Sequence, residues 1–211
     1  MLRIIDLKGG SWLRYDPTWL PVEEADALLT ALLAEVAWEE RTIVALGQEI
    51  VQPRLMGWAG ELPYRYSGQT LPPRAAGPAL AAIQARIEAA AATSFNHAVL
   101  NRYRDGRDHI ARHADNEPEL GREPLIAALS LGATRSFVLE LKRRRAVKRT
   151  LRLPHGSLLI MGGALQHQWR HSLPKAPPET GERINLTLRW LRGPPGWRAE
   201  PPSWQREPTT P

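Results

Sequence analysis

The chain contains no cysteine, and this absence removes several kinds of chemistry at once. Disulfide bonds, thiolate metal ligands and cysteine nucleophiles are all excluded. A long apolar run is missing from the first ten residues as well, because Arg3, Asp6 and Lys8 are mixed there with apolar side chains. Such a segment predicts neither a signal peptide nor a membrane span. We therefore expect a cytoplasmic protein that has no membrane partner.

Acidic residues are fewer than basic ones, with 22 Asp and Glu against 28 Lys and Arg, and the formal net charge is +6. A basic balance indicates a polyanionic partner, although charge alone identifies none. The 211 residues are 43% hydrophobic and 24% charged, which is typical of one globular domain with a substantial core. We predict a single domain over residues 1–192, a monomer, and a disordered Pro-rich tail over residues 193–211.

Two helices are predicted ahead of a series of short strands. Acidic residues behind Pro21, followed by apolar residues at helical spacing, predict a helix over residues 21–33. Propensity and period predict a second helix over residues 80–89. Short strands separated by turns are then predicted at residues 125–131, 136–141, 149–153, 157–161 and 183–190. This order predicts an α+β fold that is mainly β, an antiparallel barrel or sandwich braced by helices.

The segment between the two helices has a different pattern. Residues 42–51 are rich in apolar and β-branched side chains around Gly47, which is typical of a hairpin that turns at this glycine. Residues 53–58 and 63–68 contain prolines, glycines and aromatic side chains. We expect these two stretches to form a loop-rich, aromatic region.

The stretch Val99–Asp115 begins with apolar residues, becomes charged, and closes on His113-Ala114-Asp115. On an extended chain, side chains at positions i and i+2 point the same way, so this imidazole and this carboxylate could hold one ion together. A distant histidine, such as His167 or His171, would complete the two-His-one-carboxylate set that binds iron(II) and leaves coordination positions open. Taken alone, a His-x-Asp pattern more often marks a histidine and an aspartate in a surface loop.

The last predicted strand alternates strictly between two faces. One face carries Arg183, Asn185, Thr187 and Arg189, and the other carries Ile184, Leu186 and Leu188. Two arginines and an amide on one face would be costly to bury without an anionic partner. A dicarboxylate would satisfy them, because guanidinium groups bind carboxylates through two parallel hydrogen bonds. The alternative for this strand alone is an edge strand whose polar face is exposed to solvent.

Four motifs in chain order resemble one protein family. They are Asn101-Arg102-Tyr103, His113-x-Asp115, His171-Ser172-Leu173-Pro174 and Arg183-x-Asn185-x-Thr187-x-Arg189. Together they resemble the AlkB family of iron(II)- and 2-oxoglutarate-dependent dioxygenases, and the resemblance is greatest to its nucleic-acid demethylases. It implies a double-stranded β-helix, a relative of the jelly roll, as the catalytic core over residues 95–192. It also implies a nucleotide-recognition lid over about residues 42–75.

The resemblance also implies roles for the residues of these motifs. The catalytic iron ligands would be His113, Asp115 and His171, while His167 is either a partner of a ligand or exposed. Arg183 would bind the far carboxylate of 2-oxoglutarate. Arg189 and Asn101 would hold the end next to the keto group, with further hydrogen bonds from Tyr103 and Asn185. The remaining histidines, His97, His109 and His155, are expected to be structural or solvated.

The implied reaction uses O2, iron(II) and 2-oxoglutarate to oxidise an N-methyl group, with succinate, carbon dioxide and formaldehyde as products. The expected substrates are 1-methyladenine and 3-methylcytosine in DNA. RNA, a free lipid or a protein are the alternative targets of the same chemistry. A nucleic-acid-binding protein with a vestigial metal site is the alternative from another class.

Several residues are expected to contact the substrate. Glu117 matches an acidic position near the exocyclic amine of the lesion, Tyr66 a lid aromatic that stacks on the flipped base, and Arg54 another lid position. Tyr64 and Trp58 are alternates for Tyr66. A loop charge and core packing are the competing interpretations.

The run from Lys142 to Arg149, which includes Arg143, Arg144 and Arg145, is expected to form a hairpin tip that follows phosphates, unless it is only a solvated turn. Leu46 stands where duplex-acting relatives carry a bulky aromatic finger before a glycine. A leucine can still wedge between base steps. Because it is smaller, we predict stronger activity on single strands than on duplexes.

Overall fold

The computed structural model describes residues 1–45, 48–66, 69–144, 146–193 and 202, without the side chains of residues 44, 45, 66 and 69. The strands in this part of the chain are β1 (Arg3–Asp6), β2 (Ser11–Asp16), β3 (Glu39–Ala45), β4 (Gln48–Gly60), β5 (Tyr64–Tyr66), β6 (Gln69–Leu71), β7 (His97–Tyr103), β8 (Ile110–His113), β9 (Ile126–Gly132), β10 (Arg135–Leu141), β11 (Lys148–Leu153), β12 (Ser157–Gly163), β13 (Trp169–Leu173) and β14 (Arg183–Arg189). The helices are α1 (Val22–Glu35), α2 (Pro78–Ala91) and the single turn α3 (Leu165–Gln168).

Two antiparallel sheets form the centre of the fold. The larger has the order β1-β2-β12-β9-β14-β7-β4-β3, and the smaller has the order β11-β10-β13-β8. Apolar side chains of both sheets share one buried cluster, which includes Leu13, Ile126, Ala128, Leu159 and Met161 of the larger sheet and Phe137, Leu139, Leu153 and Trp169 of the smaller. The sheets therefore pack face to face, and the predicted jelly-roll core is confirmed.

The two long helices cover the outer face of the larger sheet. Ala25 and Leu32 of α1 and Ile83 of α2 share a buried cluster with Leu129 of β9 and Leu186 of β14. The predicted helices are thus confirmed, and so is their bracing position.

The two helices are also joined end to end. The carboxylate of Glu35, the last residue of α1, accepts hydrogen bonds from the backbone N–H groups of Ala79 (2.8 Å) and Leu80 (3.1 Å). A carboxylate at this place satisfies the free N–H groups of the first turn of α2 and suits the positive end of its dipole.

The prediction of a loop-rich stretch at residues 53–58 is wrong, because these residues belong to β4. This strand pairs with β7 from Leu55 to Gly60 and buries Met56 and Trp58. Its pairing with β3 is interrupted between Thr42↔Val51 and Glu40↔Leu55. Pro53 lies within the interruption, where its missing N–H removes no hydrogen bond of the β3–β4 pair.

The predicted hairpin over residues 42–51 is confirmed by the register of β3 and β4, which runs from Thr42↔Val51 to Ala45↔Gln48. The turn itself, including Leu46 and Gly47, lies outside the described residues, as does nearly all of the Pro-rich tail. No helix in the described part of the chain is long and apolar enough to cross a membrane.

The strands at the start of the chain, β1 and β2, are among those that were not anticipated. β1 and β2 join the larger sheet through the pairing of β2 with β12. In β1 the burial pattern is mostly exposed, as expected of a sheet edge, so it lacks the apolar alternation that reveals a half-buried strand.

Candidate metal centre and co-substrate pocket

The smaller sheet brings two of the predicted ligands directly opposite each other. His171 of β13 pairs in register with His113, the last residue of β8, and the two ring centroids are 4.2 Å apart. Asp115 follows beyond the end of β8, where its backbone N–H donates to Oε1 of Gln166 at 3.0 Å instead of to a strand. Ligand atoms of His113, Asp115 and His171 all lie within 4.8 Å of one another. His167 is not part of this group.

The donor atoms of this cluster are free to bind an ion. Nδ1 of His113 lies 2.9 Å from the carbonyl oxygen of Ala111, which requires a proton on Nδ1 and leaves the lone pair of Nε2 available. This Nε2 is 3.6 Å from Oδ1 of Asp115. Oδ1 of Asp115 and Nδ1 of His171 are buried without a hydrogen-bond partner among the described residues. Because buried polar atoms are normally paired, an iron(II) ion fits this donor set.

The protonation states also suit a metal. Burial, and then the neighbouring His113, lowers the pKa of His171 to about 3. Burial lowers the pKa of His113 too, with Arg54 and Arg189 acting in the same direction. Burial alone would raise the pKa of Asp115, but the Arg189 guanidinium, followed by His171, holds it below its usual value. Two neutral imidazoles and one carboxylate are the forms that bind metal.

The predicted polar face of β14 lines the same pocket between the sheets. Arg183 is 1% exposed, and its Nη2 donates to Oγ of Ser130 (2.9 Å) and Oδ1 of Asn185 (3.1 Å). Its Nε and Nη1 have no partner among the described residues. Burial lowers the pKa of Arg183 to about 10, so the side chain remains charged at neutral pH. The alternative, an edge strand with a solvent-exposed polar face, is excluded because β14 lies between β9 and β7.

Two further residues predicted to bind the co-substrate lie beside the metal cluster. Nη2 of Arg189 donates to Oδ2 of Asp115 at 2.9 Å, so this arginine fixes the carboxylate whose Oδ1 faces the histidines. Oδ1 of Asn101 accepts from Nε of Arg54 at 2.7 Å. Arg54, expected in the lid, is only 5% exposed and lies against Asn101, which lines the pocket. Tyr103 is buried, with its ring centroid 5.4 Å from the guanidinium carbon of Arg183.

Glu117 follows Asp115 and immediately precedes a short 3-10 helix, Pro118–Leu120. Burial, and then the negative charge of Asp115, raises the pKa of Glu117, while the positive charge of Arg189 and, to a smaller extent, a hydrogen bond from Tyr64 oppose this rise. Oε2 of Glu117 is buried without a partner among the described residues. A buried carboxylate oxygen therefore lies two residues beyond the ligand Asp115, close enough for the charge of Asp115 to act on it.

The aromatic side chains of the predicted lid differ in how far the structure describes them. Tyr64 is fully buried and lies edge-on to His97, with ring centroids 4.9 Å apart. Trp58 is buried as well and donates from Nε1 to the carbonyl oxygen of Pro72 at 2.8 Å. Core packing thus describes both alternates for the stacking residue. The backbone of Tyr66 belongs to β5, but its side chain lies outside the described part of the structure.

The basic turn, residues 142–147, connects β10 to β11 as predicted. Arg143 and Arg144 are exposed, and Arg145 lies outside the described residues. Leu139 of β10 pairs with His171, so the basic turn begins roughly 10 Å along the strand from this ligand. Together with Lys8, Gly9, His167 and Gln168, the basic turn borders a cleft of about 600 Å³.

Sequence reasoning missed two buried residues around the site. Gln166 is fully buried and holds the backbone of Asp115. Arg135 is 1% exposed and donates to the carbonyl oxygens of Asp105 (3.2 Å), Asp108 (2.8 Å) and Pro174 (2.7 Å). The alternation of Arg135 with inward apolar residues of β10 was a signal for its burial, whereas nothing local distinguishes Gln166.

A jelly roll that joins two histidines and one carboxylate to a buried arginine defines a non-haem iron(II) oxygenase with a carboxylate co-substrate. The chain matches the 2OG-Fe(II) oxygenase superfamily over residues 13–189, and it belongs to this family. It is therefore an iron(II)/2-oxoglutarate-dependent dioxygenase.

Named relatives and a solved structure agree with this assignment. The chain is 39% identical to alpha-ketoglutarate-dependent dioxygenase alkB homolog 3 of Homo sapiens over 206 residues, which cover 89% of this chain and 72% of that protein. It is 32% identical to DNA oxidative demethylase ALKBH2 of Arabidopsis thaliana over 220 residues, covering 89% and 68%. The solved structure of OsALKBH1 matches with a TM-score of 0.61 at 17% identity, over 89% of this chain and 100% of that one, and supports the fold.

Proposed function

We propose that this protein oxidatively demethylates N-alkylated bases of nucleic acid, with 1-methyladenine and 3-methylcytosine in DNA as its substrates. The observation that carries the proposal is the His113–Asp115–His171 cluster beside the open donors of buried Arg183. The names of the relatives supply the substrate class. RNA is the nearest alternative polymer.

Each side chain of the site is proposed to have a separate role. Bound iron(II), with O2 and 2-oxoglutarate, supplies the oxidant that hydroxylates the N-methyl group, and the product then loses formaldehyde. Arg183 would hold the far carboxylate of 2-oxoglutarate, because its Nε and Nη1 are buried without a partner among the described residues. Arg189 keeps Asp115 in one orientation. Apolar side chains such as Phe137 and Leu173 line the pocket and exclude water from the reacting atoms.

Base selection follows from the position of Glu117. Both proposed lesions carry an exocyclic amine beside the methylated ring nitrogen, and this amine donates hydrogen bonds. The buried Oε2 of Glu117 offers an acceptor near the metal cluster, provided that the base is flipped out of its stack. The side chain of Tyr66 is proposed to stack on the flipped base.

The nucleic-acid strand would be held by charge. Arg143 and Arg144 present exposed cations on a turn that begins roughly 10 Å along β10 from Leu139, the residue paired with His171. With Arg145 beside them in sequence, they would contact phosphates. Leu46 offers a smaller wedge than an aromatic finger, and this supports a preference for single strands.

The first test supplies anaerobic protein with iron(II), 2-oxoglutarate and a single-stranded DNA oligonucleotide that contains 3-methylcytosine, and then admits oxygen. Formaldehyde and restored cytosine are measured together with succinate. We expect repair by the unchanged protein and by Arg86→Gln, an exposed control on α2, and none by His171→Ala.

Parallel reactions contain 1-methyladenine, the matching RNA, and the duplex form of the same DNA. Succinate without restored base on every oligonucleotide would overturn the proposed substrate class and leave the oxygenase intact. A rate on the duplex equal to or above the single-strand rate would overturn the strand preference alone.

A further inference from the structure

The metal ligand Asp115 is held from outside its own strand. β8 ends at His113, so the hydrogen bonds of the smaller sheet do not extend to Asp115. The backbone N–H of Asp115 donates instead to Oε1 of Gln166, at 3.0 Å. A ligand beyond the end of a strand needs such an external contact, because the irregular chain that carries it has no ladder of its own.

Gln166 is itself rigidly placed. It belongs to α3, a single helical turn between β12 and β13, and its side chain is fully buried. Its Nε2 lies 3.7 Å from Sδ of Met161 in β12, and its backbone carbonyl accepts from Nζ of Lys142 at 2.9 Å. With the side chain buried and Nε2 turned to Met161, the amide oxygen points towards Asp115.

Contacts from α3 reach both ends of the segment that carries the acidic residues of the site. Gln166 contacts Asp115 at the start of the segment, and Nε2 of His167 contacts the carbonyl oxygen of Arg122 at its end. Glu117 lies between these two points. The carboxylate of Asp115 has a second support, since Oδ2 accepts from Arg189 and leaves Oδ1 for the metal.

We propose that Gln166 is a positioning residue for the iron centre, which fixes the backbone of Asp115 so that Oδ1 faces His113 and His171. This role goes beyond the proposed function, because it concerns metal binding and is independent of which substrate is demethylated. Partners of this kind behind a metal ligand typically contribute 10- to 100-fold to metal affinity or activity.

The test measures cobalt(II) binding to the full-length, metal-free protein by absorption, without oxygen or substrate. Gln166→Met keeps the length of the side chain but removes the acceptor, and we expect cobalt(II) affinity to fall roughly 10- to 100-fold with an altered spectrum. Gln166→Glu retains an acceptor oxygen and should recover most of the affinity. Gln166→Asn shortens the side chain, so its amide oxygen no longer reaches the N–H of Asp115, and it serves as a second variant that lacks this hydrogen bond.

Gln168→Met is the matched control. Gln168 lies on the same turn and donates from Nε2 to the carbonyl oxygen of Gly9 at 2.6 Å, without contacting Asp115. Its cobalt(II) affinity and spectrum should match those of the unchanged protein. The proposal is overturned if Gln166→Met and Gln166→Asn bind cobalt(II) as the unchanged protein does. It is equally overturned if both lose no more affinity than Gln168→Met, since a general loosening of α3 would then explain the effect.

Discussion

At the scale of single residues, the site depends on ionisable side chains kept away from water. Arg183 is buried with open donors, and Asp115 is buried with one free oxygen. His97, next to the site, is 1% exposed, and neither ring nitrogen has a partner in the described part of the chain. A buried ionisable group favours one protonation state in the folded protein. Each such group therefore makes the free energy of unfolding depend on pH.

His97 provides the residue-scale prediction. Burial, and then the positive charge of Arg189, lowers its pKa to about 3, whereas an unfolded histidine titrates near about 6.5. Between these values the unfolded chain binds a proton and the folded chain does not. The stabilisation from neutral His97 is therefore fully present above about pH 6.5 and is lost as the pH falls towards about 3.

We expect His97→Leu to remove this contribution, which amounts to roughly 2–3 kcal/mol between pH 7 and pH 4.5. Denaturant unfolding of both proteins at a series of pH values measures the difference. The variant should lose less unfolding free energy than the unchanged protein on acidification. Parallel curves for the two proteins would show that His97 is not the group responsible.

At the scale of elements, the connections between strands carry the exposed basic residues and the support of the metal ligand Asp115. The basic turn between β10 and β11 places Arg143 and Arg144 in solvent, and α3 holds the loop of Asp115. The strands set where these turns lie, because β10 and β13 pair through Leu139 and His171. The residue types of the turns thus supply the charges, and the strand pairing sets where those charges lie.

The basic turn provides the element-scale prediction. Each phosphate contact to a single strand contributes about 0.7 to the slope of log affinity against log salt concentration. We expect Arg143→Gln with Arg144→Gln to reduce this slope by about 0.7 for each of the two arginines that binds a phosphate. Oligonucleotide binding measured at several salt concentrations gives the slope. The control, Arg3→Gln with Arg86→Gln, removes the same charge from exposed positions on β1 and α2 and should leave the slope unchanged. Equal slopes for the two double variants would contradict phosphate binding by the basic turn.

At the scale of the whole molecule, the binding pocket exists only when the two sheets pack. Arg183 comes from the larger sheet and His171 from the smaller, and both line the space between them. Ligands that require this arrangement bind the folded state alone. Their binding free energy therefore adds to the free energy of unfolding.

We expect manganese(II), used in place of iron to prevent turnover, to raise the unfolding free energy, and 2-oxoglutarate to raise it further. Each ligand at 100 times its dissociation constant should contribute about 2.7 kcal/mol. Arg183→Leu should keep the manganese increment and lose most of the 2-oxoglutarate increment. Thermal unfolding with each ligand in turn measures the increments. An undiminished 2-oxoglutarate increment in Arg183→Leu would contradict the role given to this arginine.

Much of the site follows from the sequence by itself. A strand has a period of two residues, so Arg183, Asn185, Thr187 and Arg189 had to share one face. The same local rules predicted α1, α2 and the hairpin of β3 and β4, because apolar spacing and turn residues lie within a few positions of one another. Four short motifs in chain order were enough to indicate the family.

Only the tertiary structure decided the contacts between distant segments. The pairing of His113 with His171, the burial of Arg54 against Asn101 and the support of Asp115 by Gln166 each depend on which strands become neighbours. No local pattern contains this information, since sheet register is set by the packing of the complete core. The sequence by itself therefore determined which side chains carry the chemistry, and the packing of the two sheets determined how each of them is held.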